Sequence, residues 1–369
     1  MKVLHVIPFG IFAVNYVNAF NKYNANSHTF WMYGYSKEHE LSRNIYFDEE
    51  KNVMRIEKSE YSSLEKVYSN HEIIIFLCFP EDLELLKLIF ICYRSCPKPY
   101  ILSPWGRDAD RTSDIYRRDE HEWKAIEQMK LWMAQNSTII ASTQRLYDVL
   151  QNLYHVKSTR LFFANNLLAF SVDKLVDLKM AKHDRLNIMV GHRGTSTSKH
   201  LEVFDAVGGY KKEIGYIFCP LSYGEKSYTR KVCWVGRLKF GSKWKPILEW
   251  MDMDSYMHFL NENVDVAIFA SQFEGASTIY ALVYMGKTLY LNEQSETAEI
   301  LDELEVSYYK ISSEYKEIPL KTISEVEKER NRKIMKEFGS IERFNEQWTV
   351  LIRECYQKRI IDEKSEGNY

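Results

Sequence analysis

A short loop at residues 191–196, with the sequence Gly-His-Arg-Gly-Thr-Ser, combines residue types that suit binding of a diphosphate. Glycine permits close approach of the backbone, arginine offers a rigid fork of donors, and hydroxyl groups and a following helix N-terminus add more donors. The spacing matches neither the dinucleotide-binding fingerprint nor a Walker A loop. The alternative is a tight strand-to-helix turn with a surface arginine. The predicted diphosphate contacts are Gly191, His192, Arg193, Thr195 and Ser196.

A second loop of small residues follows the apolar run at residues 264–270. Backbone N–H groups from Gly275 to Thr278 could cradle a phosphate at the start of the next helix. Glu274 could accept hydrogen bonds from a sugar hydroxyl, and it is a candidate catalytic residue. The alternative is an ordinary capped helix with Ser277 as its cap. The predicted ligand contacts in this loop are Gln272, Gly275, Ser277 and Thr278.

A carboxylate follows a predicted strand in the first half of the chain. Asp108 ends the segment Trp-Gly-Arg-Asp, which comes directly after the strand at residues 100–103. It is a candidate general base for a hydroxyl group. It could equally be a structural carboxylate paired with Arg107 or Arg111.

Two further strand ends carry candidate ligand contacts. Tyr223 lies in the segment 220–224 and could stack on a base or ribose, with a plain turn as the alternative. Asn292 and Glu293 follow the strand at residues 288–291 and could touch ribose or sugar.

The sequence offers no metal site. Its six cysteines form no CxxC pair, its histidines do not pair at metal-ligand spacing, and there is no Asp-x-Asp motif. His5, in the first strand, is expected in the core or lining a cleft. We therefore expect no cofactor and no metal, with helix dipoles and arginine neutralising a leaving phosphate instead.

Short apolar runs alternate with helical patterns along nearly the whole chain, which is typical of parallel sheets covered on both faces. Residues 171–185 are polar and charged, and we place an interdomain linker there. The predicted domains are a Rossmann-like domain at 1–170, a second one at 186–335 and a final helix at 336–361 that packs back toward the first. Ligands of such sheets bind outside the carboxyl ends of the strands, where all the candidate loops lie.

The composition excludes some classes of protein. The chain has 369 residues and a net charge of −2, which argues against binding of nucleic acid. The N-terminal sequence predicts no signal peptide, and charged residues interrupt the apolar stretch at 72–93. We expect a cytoplasmic protein that at most rests on a membrane surface. The predicted helix at 80–94 and a basic group could make that contact, unless the helix is simply part of the core. The basic group is Arg111, Arg117, Arg118 and Lys124.

Several short motifs, in the same order, resemble those of glycosyltransferase family 56, the lipid-linked 4-acetamido-4,6-dideoxygalactose transferases of enterobacterial common antigen synthesis. Residues 100–108 resemble the family's Trp-Gly-Ala-Asp segment, and 188–200 resemble its Leu-Val-Gly-Asn-Ser-Gly loop. Residues 220–223 resemble its Pro-Met-Gly-Tyr stretch, and 265–292 its Gly-x-Gly-Thr loop with the following Leu-Asn. Trp348 lies in a last helix like the family's. The sequence departs from these motifs where His192 replaces Asn and Ser277 replaces Gly, and its second loop has one extra residue.

The resemblance implies a GT-B fold, in which two Rossmann-like domains face each other across a cleft. It implies an N-terminal acceptor domain and a C-terminal donor domain. It also implies a deoxythymidine-diphosphate (dTDP) sugar as donor and an undecaprenyl-diphosphate-linked glycan as acceptor, at the cytoplasmic face of the inner membrane. The rival interpretations are a two-domain nucleotide-sugar epimerase and a non-catalytic sugar- or nucleotide-binding protein.

Overall fold

The computed structural model describes residues 1–24, 26–37, 51–105, 108–109, 119–141, 143–156, 159–161, 183–272, 275–312 and 314–366. The chain divides into two compact units. The first unit combines Met1–Ala169 with Ile341–Tyr369, and the second unit is Phe170–Ser340. Each unit is a parallel sheet with helices, and each is described by itself.

The first unit alternates strands and helices before the chain passes into the second unit. The strands are β1 (Val3–Pro8), β2 (His28–Tyr33), β3 (Val53–Ile56), β4 (Ile73–Phe76), β5 (Tyr100–Leu102), β6 (Ser137–Ala141) and β7 (Thr159–Leu161). The helices are α1 (Ile11–Asn24), α2 (Ser63–Ser69), α3 (Leu83–Ser95), α4 (Glu120–Gln135) and α5 (Gln144–Tyr154).

The second unit repeats this alternation, and one long helix then returns to the first unit. The strands are β8 (Leu186–Val190), β9 (Ile214–Pro220), β10 (Trp244–Ile247), β11 (Val266–Phe269), β12 (Thr288–Asn292) and β13 (Tyr309–Ile311). The helices are α6 (His200–Ala206), α7 (Lys226–Phe240), α8 (Met253–Asn263), α9 (Ala276–Tyr284), α10 (Glu296–Glu303) and α11 (Glu325–Phe338). The returning helix is α12 (Ile341–Glu366).

The strand order reverses once in each sheet. The described strands run in the order β3-β2-β1-β4-β5-β6-β7 in the first unit and β10-β9-β8-β11-β12-β13 in the second. All these pairs are parallel. The reversal in the second sheet lies between β8 and β11, and ligands of such sheets bind beyond the carboxyl ends of the strands at this point. The loops after β8 and β11 are the two that the sequence predicted to bind a diphosphate.

Both faces of the first sheet are buried, as the continuous apolar strands predict. Successive side chains of a strand point to opposite faces. In β1, Leu4 and Val6 accordingly join one core cluster, while Val3 and Ile7 join the other. This alternation fixes β1 at the centre of a three-layer unit.

Helix α12 completes the cluster on one side of the first sheet. Phe344 and Trp348 lie against Tyr16 and Phe20 of α1, with ring centroids 5.2–6.0 Å apart. Asn345 Nδ2 donates to the Ala19 carbonyl at 2.7 Å. The first half of α12 is therefore part of the first unit's core.

Capping side chains mark the start of three helices in the first unit. The helix predicted from 80 begins at Leu83, because Asp82 accepts hydrogen bonds from backbone N–H groups of the first turn. Asp119 caps α4 in the same way, and Thr143 caps α5 by accepting from Leu146 N at 3.1 Å.

The apolar helix that the sequence offered for membrane contact turns its apolar side chains inward. In α3, Leu85, Leu86, Ile89 and Cys92 are buried in the core of the first unit. Ile91 is its only large apolar side chain that is strongly exposed, at 52%. Three of the basic partners predicted nearby, Arg111, Arg117 and Arg118, lie outside the described residues. The core interpretation of this helix is therefore correct. No helix among the described residues is long and apolar enough to cross a membrane.

Two neutral imidazoles, joined by a hydrogen bond, are buried in the first unit. His5 Nδ1 lies 2.9 Å from the Tyr16 hydroxyl, and His5 Nε2 lies 2.7 Å from His28 Nδ1. Burial, aided by repulsion from His28, holds the pKa of His5 well below its usual range. Burial also lowers the pKa of His28 to about 4. Both rings are core residues, as expected for His5.

We expect this pair to make the first unit sensitive to acid. Both folded-state pKa values are lowered, so the unfolded chain binds more protons once the pH falls below about 6.5. Stability should drop as the pH falls from 6.5 toward 4, by about 2 kcal/mol for His28 alone between pH 7 and pH 5. Calorimetric unfolding at several pH values measures the effect. His28→Gln should flatten the dependence, and His258→Gln, at an exposed site in the second unit, should not. An equally steep curve for His28→Gln would contradict the assignment.

Candidate functional site

The loop after β8 begins with a glycine that no other residue could replace without strain. Gly191 has φ +64°, and its N–H donates to the Ile268 carbonyl of β11 at 2.9 Å. A Cβ atom added there would lie 2.7 Å from His200 Nε2. The backbone at Gly191 therefore passes close to the buried His200 imidazole. It is also hydrogen-bonded to β11, at the point where the strand order reverses.

The loops after β8 and β9 are joined backbone to backbone. Gly194 N donates to the Tyr223 carbonyl, and Glu225 N donates to the Gly194 carbonyl, both at 2.8 Å. Gly224 has φ +125°, and a Cβ atom there would lie 2.6 Å from the carbonyl carbon of Gly194. This crossing positions Tyr223, which is 53% exposed.

The loop after β11 meets the other two through His192. A Cβ atom added to Gly275 would lie 3.0 Å from His192 Cδ2, so the imidazole rests against the glycine backbone. The His192 and Tyr223 rings are 6.4 Å apart between centroids and 70° apart in plane. Three of the predicted loops thus converge at the carboxyl ends of β8, β9 and β11.

Helix α9 starts at this convergence. Its N-cap is Gly275, which has no side chain to offer, and Ser277 lies inside the first turn, so the alternative in which Ser277 caps the helix is wrong. The helix is buried on nearly all sides from Ile279 to Tyr284. Charge–dipole interactions are stronger in such a setting than at an exposed helix end, so the N-terminus of α9 favours an anion. Glu274 lies outside the described residues.

Several hydroxyl groups of these loops already have protein partners. Thr195 Oγ1 lies 3.0 Å from Thr197 Oγ1, and Thr278 shares a hydrogen bond with the hydroxyl of the half-buried Tyr256. Ser196 donates its N–H and its hydroxyl to Glu225 Oε1, at 3.4 and 3.3 Å. Glu225 is exposed, so it can swing away from a bound anion. Arg193 is half-buried in the same loop.

Residues after β12 differ in what they can contact. Asn292 is 1% exposed, and its side chain donates to the Ala270 carbonyl at 3.0 Å and accepts from Gln294 N at 2.8 Å. These bonds tie the end of β12 to that of β11 and occupy the amide that was predicted to reach ribose or sugar. Gln272 donates to the Gln294 side chain at 2.6 Å. Glu293 is exposed.

A buried histidine that was not among the predicted site residues packs against the loop after β8. His200, in α6, is buried, and its Nδ1 lies 3.4 Å from the Tyr228 hydroxyl. Burial, with a smaller effect from His192, lowers the pKa of His200 to about 4. The ring is therefore neutral near pH 7. Its position nine residues after Gly191 gave no periodic signal that could have revealed the contact.

Asp108 lies at the carboxyl ends of strands in the first unit. Its two carboxylate oxygens accept from Phe79 N at 2.7 Å and Trp105 N at 2.8 Å, while Lys130 Nζ donates to its carbonyl at 2.8 Å. Burial raises the pKa of Asp108 to about 6, although these bonds and Lys130 act the other way. The predicted partners Arg107 and Arg111 lie outside the described residues. A carboxylate with this pKa suits a general base, while its backbone bonds also give it a structural role.

No group of three His, Cys, Asp or Glu within the described part of the chain could hold a metal ion. The charge-stabilising groups that the structure does describe near the converging loops are Arg193 and the N-terminus of α9.

No protein-family model matches the chain, and no curated protein matches it. Solved structures do match. A glycosyltransferase from Rickettsia africae is 14% identical, with a TM-score of 0.68, over 96% of this chain and 98% of the other. Anabaena Alr3699/HepE in complex with UDP is 11% identical, with a TM-score of 0.68, over 96% and 100%. UDP-GlcNAc 2-epimerase from Neisseria meningitidis bound to UDP-GlcNAc is 12% identical, with a TM-score of 0.53, over 97% and 100%.

At such low sequence identities, the structural similarity establishes the fold alone. The chain has the GT-B type of fold, with two Rossmann-like domains, and the prediction of an α/β protein of this class is confirmed.

Proposed function

We propose that this chain transfers a sugar from a nucleoside-diphosphate donor, held by its second unit, to a glycan acceptor. The observation that carries the proposal is the convergence of the loops after β8, β9 and β11 at the reversal of strand order. Two of these loops contain glycines at which the backbones approach closely, and one opens a buried helix. This combination suits a diphosphate.

The similar solved structures support the choice of ligand class. The Anabaena protein was solved with UDP and the Neisseria epimerase with UDP-GlcNAc. The sequence resemblance to family 56 favours a dTDP-sugar, and uracil and thymine are both pyrimidines. We therefore propose a pyrimidine nucleoside diphosphate, with dTDP as the first choice and a deoxy-amino sugar as the transferred group.

In the proposed reaction the acceptor hydroxyl oxygen bonds to the anomeric carbon of the donor sugar, and the bond from that carbon to the phosphate oxygen breaks. The nucleoside diphosphate leaves with the bonding electron pair and the negative charge. Arg193 and the first-turn N–H groups of α9 stabilise that developing charge, and each well-placed donor is worth about 2.7–4 kcal/mol in the transition state. Tyr223 stacks on the base or ribose, and Glu274 and Glu293 bind sugar hydroxyls. No metal ion is needed in this scheme.

The acceptor in this proposal is a lipid-linked or surface-polysaccharide glycan bound by the first unit. Asp108 takes the proton of the attacking hydroxyl, and its raised pKa of about 6 leaves it ionised and basic near neutral pH. The reaction would then take place at the cytoplasmic face of the inner membrane.

A thermal-shift screen of dTDP, UDP, GDP and CMP tests the ligand class. A ligand that binds only the folded protein at 100 times its dissociation constant adds about 2.7 kcal/mol. For a unit of this size that is a rise in Tm of about 5–10 °C. We expect dTDP or UDP to give this shift and CMP and GDP to give little. If none of the four nucleotides raises the Tm, the proposal is refuted.

Epimerisation is the second candidate, because the Neisseria epimerase shares the architecture over nearly the whole chain. Incubation of the protein with a dTDP- or UDP-sugar, without acceptor, separates the two activities. A transferase leaves the donor sugar unchanged except for slow hydrolysis, while an epimerase accumulates the epimer. A protein that binds the nucleotide sugar but converts it neither alone nor with acceptor is a binding protein.

A further inference from the structure

Helix α7 presents an exposed face that combines large apolar and basic side chains. The exposed positions follow helical spacing, so they share one face. Trp234 and Leu238 lie one turn apart on it, and each is 66% exposed. The other exposed residues of this face are Lys226, Ser227, Arg230, Lys231 and Arg237.

The opposite side of α7 fixes this orientation. Val232, Gly236 and Phe240 are buried against the second unit. The Trp244 ring lies so close to Gly236 that a Cβ atom there would come within 2.7 Å of it. The helix cannot rotate to bury Trp234 without losing this packing.

The surrounding segment is strongly basic although the whole chain has a net charge of −2. Residues 226–248 contain no Asp or Glu. Their basic residues are Lys226, Arg230, Lys231, Arg237, Lys239, Lys243 and Lys245. Lys239 is paired with Asp205, but Arg230, Lys231 and Arg237 form no ion pair with any described residue. The exposed face of α7 therefore carries positive charge that the described part of the protein leaves uncompensated.

We propose that this face of α7 docks the protein on an anionic lipid surface. Trp and Leu at the centre of a basic helix face insert at the level of the headgroups, while Arg and Lys reach lipid phosphates. A two-fold contact with a second copy would bring the same positive charges together. A nucleic acid would match the charge but would leave Leu238 without an apolar partner.

The docking face belongs to the second unit and is distinct from the helix at 80–94 that the sequence analysis considered for membrane contact. It does not depend on the proposed sugar transfer, since it is read from exposure and charge alone. If both proposals hold, docking brings the enzyme to the layer where a lipid-linked acceptor lies.

Vesicle flotation tests the docking face without donor or acceptor. We expect the wild-type protein to float with vesicles of phosphatidylcholine and phosphatidylglycerol, and to bind pure phosphatidylcholine at least tenfold more weakly. Trp234→Ala/Leu238→Ala and Arg230→Glu/Arg237→Glu should each lower binding to anionic vesicles at least tenfold. All substituted side chains are exposed, and circular dichroism checks that the variants fold.

Matched controls come from α11, an exposed helix of the same unit. Lys333→Glu/Lys336→Glu makes the same change in net charge, and Val326→Ala shortens a side chain that is 80% exposed. Both controls should bind as the wild type does. The proposal is overturned if the wild type ignores anionic vesicles or if the control pair loses as much binding as the α7 pair. It is also overturned if sedimentation finds a dimer that Trp234→Ala/Leu238→Ala dissociates. Because nucleotide thermal shifts are read separately, failure here leaves the proposed function standing.

Discussion

The Gly224→Ala variant is expected to bind its nucleoside diphosphate at least tenfold more weakly than the wild-type protein and to melt at a lower temperature. Gly224 has φ +125°, a conformation that costs an alanine about 1–3 kcal/mol. The new methyl group would also lie 2.6 Å from the Gly194 carbonyl carbon, which is backbone and cannot rotate away. The two loops must therefore separate, and the hydrogen bonds that join Gly194 to Tyr223 and Glu225 must lengthen or break.

Calorimetric titration with dTDP or UDP measures this loss, and Gly209→Ala is the matched control. Gly209 lies in the same unit, its φ is not positive, and a Cβ atom there would meet nothing within 4 Å. We expect it to bind the nucleotide as the wild type does. If Gly224→Ala binds with unchanged affinity, the crossing of the two loops has no part in holding the ligand.

The strands could be predicted because a strand that is buried on both faces of a sheet consists of a continuous run of apolar residues. The run at 73–76 is Ile-Ile-Ile-Phe, and the structure has β4 there with all four residues buried. Loops after such strands must meet at one edge of a parallel sheet, so their convergence followed from the strands alone. The contact of His192 with Gly275 is an instance of that rule.

Contacts between backbone segments that are far apart in sequence have no such pattern and could not be predicted. The hydrogen bonds between Gly194 and residues 223 and 225 join segments about thirty positions apart, and nothing periodic relates them. The pattern also missed α7, β10 and α8 altogether. Helix α7 is rich in lysine and arginine, with apolar residues on both its buried and its exposed face, so a search for apolar runs between polar loops overlooks it.

The apolar content of helices α3 and α7 could not show which of them exposes apolar side chains to solvent. The sequence of α3 is the more apolar of the two, yet its leucines lie in the core. Helix α7 is more basic and exposes Trp234 and Leu238. Periodicity gives the angular spread of apolar residues on a helix, whereas the neighbouring elements decide which side is covered.

The Arg193→Ala variant is expected to lower turnover at least tenfold while the protein stays folded. The guanidinium would act on charge that appears on the diphosphate only as the sugar leaves, so kcat should fall more than KM rises. Arg193→Lys should recover part of the loss, since an ammonium supplies charge without the planar fork of donors. Steady-state rates over a range of sugar-donor concentrations measure kcat and KM. Arg185→Ala, at an exposed position before β8, is the control that should keep wild-type turnover. A weaker affinity for the nucleotide with unchanged kcat would restrict Arg193 to ground-state binding. If both parameters stayed at the wild-type level, the charge on the leaving group would have to be met by the N-terminus of α9 and the other loop donors.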